Sequence, residues 1–203
     1  MKQVFHTTMR TGAVGLVLVL VLGAFNGASA QEYKWMSAGS LQSFYSAQGC
    51  EIEVGRPGAD QQDGLQWPAF YQYQDMEAAK GLWIGLPNYT DSKGSTWQHK
   101  VVHVGPRGDG KSEFFPVKFE MVSKFPPPDV TVDGNASVGR GVENNRVDPT
   151  MKPDRMIINV CNTAIGVTMT RKIMQFSQPF HDNYIVYDYT FTNTGNVNAD
   201  AAI

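Results

Sequence analysis

The densest run of chemistry-bearing residues is Gly105-Pro106-Arg107-Gly108-Asp109-Gly110-Lys111-Ser112, which meets the G-x-x-x-x-G-K-S spacing of a phosphate-binding loop. Such a loop grips phosphate only where a helix starts at its end, so that amide N–H groups and the helix dipole face the anion. The next residues along the chain are Glu113-Phe114-Phe115-Pro116-Val117-Lys118-Phe119, aromatic and alternating, which predicts a strand and reduces the string to a glycine-rich hairpin loop. The embedded Arg107-Gly108-Asp109 is a tripeptide that some adhesive ligands display at loop tips; its plainer reading is a solvated turn.

Other groupings offer less. His99 and His103 share one face of a predicted strand but stand about 13 Å apart by the rise per residue, too far for one metal ion. His181 sits beside Asp182 and joins the other histidines only if the fold brings them together. Asp129, Asp133, Asn135, Asn145 and Asp148 scatter oxygen ligands as calcium-stabilised loops do, without an EF-hand spacing, so no cofactor is expected and structural calcium lacks support. No G-x-S-x-G elbow, H-E-x-x-H pair or carboxylate dyad is present. Aromatic residues are the better binding candidates. Trp67, Tyr71, Tyr73, Trp83 and Trp97, with Phe70 and Tyr89 nearby, have the ring area and the polar neighbours Gln72, Gln74 and Asp75 for a sugar-stacking platform, although most such rings end in cores. The two cysteines, Cys50 and Cys161, either form a disulfide worth about 4 to 5 kcal/mol through the long loop it closes, or remain two separate buried thiols.

The elements that position these residues read as strands. Between Ile165 and Asn196 two long strands are joined by the turn residues Gln178 to Asn183: one runs from Val167 to Phe176, and in the other Ile185, Tyr187, Tyr189 and Phe191 alternate with Asp188, Thr190 and Thr192. They should pair antiparallel. Leu82 to Leu86 reads as a short buried strand, Trp97 to Val104 as an edge strand, and Phe114 to Val122 as a strand in which Pro116 requires a start, an edge or a bulge. Short helical turns are predicted over Leu41 to Tyr45 and Asp75 to Lys80. The expected fold is mainly β, an antiparallel sandwich with few short helices. Its C-terminal part reads as incomplete, because the sequence stops at Ile203 after the turn signal Asn193-Thr194-Gly195-Asn196.

Residues 1–30 read as a signal peptide: Lys2 and Arg10 precede the apolar run Ala13 to Phe25, and Ala28-Ser29-Ala30 supplies the cleavage pattern. Residues 31–124 form an aromatic-rich β region. Residues 125–155, opened by Phe125-Pro126-Pro127-Pro128-Asp129, form a Pro/Gly/Asn-rich connector, and residues 156–203 begin a sandwich. Losing Lys2 and Arg10 with the signal takes the formal net charge from −2 to −4, and a mildly acidic chain has no overall attraction to nucleic acid or anionic lipid. No segment of the mature chain is long and apolar enough to span a bilayer.

Gly81-Leu82-Trp83-Ile84-Gly85, Val101 to Arg107, Glu113 to Val117, Thr131-Val132-Asp133-Gly134 and Phe176 to Tyr184 resemble the N-terminal part of large uncharacterised bacterial exported proteins. Those often carry β-sandwich modules and a C-terminal type IX secretion sorting domain. The resemblance implies an extracellular, cell-surface or periplasmic location and carries no catalytic residues. The expected function is a non-enzymatic secreted or surface module whose partners are glycans or other surface proteins. The alternatives are a carbohydrate-binding module of an exported polysaccharide-degrading system and, third, a secreted hydrolase using His99, His103 or Asp182.

Overall fold

The computed structural model describes residues 32–51, 64–69, 76–77, 80–105, 110, 112–126, 130–137 and 144–198. All belong to one of two units, Gln31–Ile203. The fold is mainly β and built from antiparallel sheets, with no helix among the described residues.

β1 (Tyr33–Ala38) and β2 (Leu41–Ser46) form a hairpin in which Ala38 pairs with Leu41. The predicted helical turn over Leu41 to Tyr45 is therefore a strand. Gly39 turns the chain at φ +63°, and the rings of Tyr33 and Trp35 meet Phe44 across the ladder at 4.8 and 5.3 Å, a cross-strand pairing that a helix would forgo. Of the turn predicted over Asp75 to Lys80, only Met76, Glu77 and Lys80 are described. Lys80 makes an isolated antiparallel bridge with Glu51.

β3 (Leu82–Thr90) and β4 (Thr96–Val104) form a second hairpin, closed by Asp91, whose Oδ1 accepts the amides of Lys93 and Ser95 at 2.9 Å. β3 is longer than the sequence predicts and its inward residues are half-buried. Leu82, Ile84 and Leu86 face the core; Pro87 and Asn88 are both exposed, Asn88 at φ +50°, and Tyr89 then faces inward, so the alternation slips by one residue there. In β4 Val102 and Val104 are buried, leaving Val101 and His103 on the outward face.

β5 (Phe114–Ser123) carries the register shift between Pro116 and Lys118 that the proline demands. β6 (Val130–Val132) and β7 (Asn135–Ser137) make a small hairpin turning on Asp133 and Gly134, at φ +50° and +78°. β8 (Arg146–Val147) lies parallel to the end of β5. β9 (Arg155–Thr163), β10 (Val167–Gln175) and β11 (Val186–Asn193) complete the chain, the last two being the predicted antiparallel pair. The sheet order is β11-β10-β9-β5-β8.

Register places three rows on one face of this sheet: Met121, Ile157, Ile173 and Tyr187; then Phe119, Asn159, Arg171 and Tyr189; then Pro116, Cys161, Met169 and Phe191. The β1–β2 hairpin covers the first row with Met36 and Tyr45. The β3–β4 hairpin covers the third with Val102, Val104, Ile84 and Leu86, together with Cys50, Phe114 and Ile165. This sheet-and-hairpins arrangement is sandwich-like. Tyr187, Tyr189 and Phe191 stack along β11 at 6.3 and 6.1 Å, so the period-2 pattern in the sequence is a real aromatic row.

Candidate functional site

The middle row carries charge. The Arg171 guanidinium is fully buried and donates to the carbonyl oxygens of Gly49 and Ser46 at 3.0 Å and to Glu51 Oε1 at 3.4 Å. Glu51 Oε2 accepts the Tyr187 hydroxyl at 2.7 Å, and the Lys80 ammonium lies 3.6 Å from that oxygen and 3.2 Å from the centre of the Tyr187 ring. Asn159 Nδ2 and the Cys161 thiol both donate to the Ala47 carbonyl, at 2.7 and 2.9 Å. Burial raises the Glu51 pKa, with Arg171 and Lys80 pulling the other way. These groups fasten the loop after β2 to the sheet, and Glu51, Arg171 and Cys161 lie out of reach of substrate. Cys50 and Cys161 are free thiols in one apolar cluster, and burial pushes Cys161 up to about 12, which keeps it protonated and a poor nucleophile.

Of the aromatic platform expected from sequence, Tyr71 and Tyr73 lie outside the described residues, and the three tryptophans stand apart. Trp67 is 45% exposed and its indole N–H donates to Asn183 Oδ1 at 2.7 Å. Trp97 is 47% exposed at the turn end of the β3–β4 hairpin, where the Lys100 ammonium lies 5.5 Å from its ring. Trp83 is 67% exposed at the other end, anchored by its indole N–H to the Gly105 carbonyl at 3.2 Å. Trp83 pairs with His103, six residues from Trp97, which puts the two tryptophans about 20 Å apart along the strand.

The outward face around Trp83 is the candidate interaction surface. The Trp83 ring meets the His103 imidazole at 5.4 Å, and His103 Nδ1 lies 3.0 Å from Glu113 Oε2, which also accepts the His103 amide. Next to this pair Val101 is exposed opposite Gly85, whose missing side chain bares the backbone. His103 thus has a carboxylate partner, the arrangement a general base needs, but no nucleophile stands beside it among the described residues. His99 is exposed, and His181 is hydrogen-bonded through Nδ1 to the Tyr184 hydroxyl instead of joining the other two.

The remaining candidates are dispersed. Among the described residues no three potential ligands cluster around a metal position. Asn145 accepts the Met121 amide, Asp148 serves Thr150 and Arg146, and Asp129 lies outside the described residues. Residues 106–109 and 111 of the phosphate-loop string also lie outside them; Ser112 leads through a turn into β5, so a strand stands where the motif needs a helix. No helix among the described residues is long and apolar enough to cross a membrane.

Sequence reasoning misses a cavity of about 490 Å³ at the end of the sheet where β5 and β10 finish and β9 starts. Its lining comes from three separate turns, and the only sequence signal is the aromatic-polar run Phe176 to Tyr184, which reads as a plain connection. Comparison of the chain with protein-family models, curated proteins and solved structures gives no match.

Proposed function

We propose that this chain is a non-enzymatic, exported interaction module that meets its partner through the outward face of the β3–β4 hairpin. The observation that carries the reading is Trp83: a tryptophan two-thirds exposed, pinned by its indole N–H and flanked by an exposed valine and a bare glycine. A large ring held rigidly in solvent costs little conformational entropy on binding, which is why such residues anchor interfaces. The signal-like residues 1–30 and the resemblance to exported bacterial proteins support an extracellular, cell-surface or periplasmic setting.

Carbohydrate binding is the second reading, favoured by the open ring face of Trp83 beside polar His103. A glycan-array screen of the chain and of Trp83→Ala separates the two readings. Retention on a defined glycan that disappears in the variant, with an unchanged melting temperature, selects the carbohydrate reading. Turnover of any polysaccharide substrate that vanishes on His103→Ala, again with unchanged melting temperature, refutes the non-enzymatic reading.

A further inference from the structure

The cavity at the sheet end has the chemistry of a built site. It lies among Lys124 after β5, the turn 148–152 before β9, and the connection 176–184 between β10 and β11. Its volume falls within the range of small-molecule sites. Two lysines, Lys124 and Lys152, line it, and no carboxylate does among the described residues. The nearby acids are already engaged: Asp148 accepts from Thr150 and Arg146, and Asp154 Oδ2 accepts the Ser177 amide and hydroxyl at 2.6 and 2.8 Å. Neither lysine has an ion-pair partner among the described residues. A cationic pocket on a chain of net charge −2 is a local arrangement, since the overall field opposes it.

Aromatic rings line the same cavity, while the Lys124 ammonium lies 5.7 Å from the centre of the neighbouring Phe125 ring. Phe176, His181 and Tyr184 meet one another at ring separations of 6.3, 6.1 and 5.7 Å, and the Tyr184 hydroxyl is bonded to His181 Nδ1. The loop is braced from outside: the Ser40 amide and hydroxyl donate to the Asp182 carbonyl at 3.2 and 2.8 Å, and Trp67 holds Asn183. On this loop Phe180 sits at φ +70° with 93% of its surface exposed, a strained conformation for a bulky residue. The loop thus combines a rigid frame, an aromatic surface and stored backbone strain, features that concentrate at ligand sites.

We infer that this cavity binds a polyhydroxylated pyranose ring bearing one carboxylate, the chemistry of a uronic acid residue in an acidic glycan. The lysines are compact cations suited to a single carboxylate, the wall supplies a face for the ring, and Thr150 and Gln178 offer groups for hydroxyls. The inference rests on the cavity alone and stands whether or not the Trp83 face is used.

Isothermal titration of the full chain with glucuronate, glucose and benzoate tests it. Glucuronate should bind saturably, weaken with added salt, and exceed both neutral glucose and aromatic benzoate by roughly tenfold or more. The double variant Lys124→Met/Lys152→Met should lose glucuronate binding at least tenfold with an unchanged melting temperature, whereas Lys93→Met on the distant β3–β4 turn should leave it unchanged. Equal binding of glucose, tighter binding of benzoate, absence of saturation at millimolar glucuronate, or a double variant that binds like the parent would each overturn the assignment.

Discussion

Replacing Arg171 by methionine isolates the contribution of the buried charge that ties the loop after β2 to the sheet. The variant keeps an apolar stem of similar length but removes the donors to Ser46 O, Gly49 O and Glu51 Oε1. Of the two buried carbonyls that lose a donor, Ser46 O keeps the Gly49 amide while Gly49 O is left unsatisfied at a cost of about 1 to 3 kcal/mol, and Glu51 keeps only Lys80 and Tyr187. Breaking one side of a buried ion pair typically costs about 3 to 5 kcal/mol, a large share of the stability of an ordinary domain. Urea denaturation followed by circular dichroism should therefore show a loss of about 3 to 5 kcal/mol at neutral pH with an unchanged slope. The pH dependence identifies the cause. The Glu51 pKa is raised on folding, so the native state binds more protons than the unfolded one, and the group lowers stability as pH rises above its ordinary value of 4.5. Arg171 opposes that rise; without it the folded pKa climbs further, and the penalty of Arg171→Met should grow from pH 4.5 towards neutrality. The double variant Arg171→Met/Glu51→Gln should recover part of the loss. A cost below about 1 kcal/mol, or one independent of pH, would refute the reasoning.

Other consequences are simpler to read. Gly39→Ala should lower stability by more than about 1 kcal/mol, because the new Cβ would stand 2.6 Å from both Asp182 Cβ and the Phe176 carbonyl at φ +63°; thermal unfolding checks it. Trp83→Ala should cost less than about 1 kcal/mol while Phe114→Ala, in the core, costs about 3 to 5, and similar losses for both would place Trp83 in the core. Cys50 and Cys161 should resist a thiol reagent in the native protein at neutral pH and react after denaturation, since burial raises both thiols; prompt native labelling would contradict this.

What the sequence discloses here depends on how local the determining physics is. The alternation Tyr187, Tyr189, Phe191 is legible because period 2 and one apolar face are properties of a single strand. The strand β2 is misread as a helical turn because its identity depends on Tyr33 and Trp35 across the ladder, and Gly39 looks like any other glycine until Asp182 is seen against it. β3 runs past its predicted end because a left-handed Asn88 lets the chain change face without leaving the ladder. Arg171 shares the parity of Met169 and Ile173, so its inward direction is written in the sequence; its partners Glu51 and Ser46 are not, being more than a hundred residues away. Trp83 and Trp97 stand apart for the same reason, since nearness along the chain does not bring them together when they sit at opposite ends of one hairpin. The sheet-end cavity, with lysines from two turns, leaves as its contiguous trace only the run Phe176 to Tyr184, which supplies the rings and says nothing of the lysines.

The pairing of β5 with β9 has a kinetic meaning. β9, β10 and β11 form a meander of near neighbours, whereas Ser123 meets Arg155 only after the chain has made the excursion that contains β6, β7 and β8. Local ladders close sooner than distant ones, so the meander is positioned to form first and present the edge of β9 to which β5 must find its way. Loop-closure entropy grows only logarithmically, and doubling the length of such an excursion adds about 0.6 kcal/mol. The β6–β7 hairpin, which among the described residues joins none of the other sheets, is accordingly the place where evolution or an engineer can lengthen this chain with little effect on its equilibrium stability, the delay falling instead on the docking of β5.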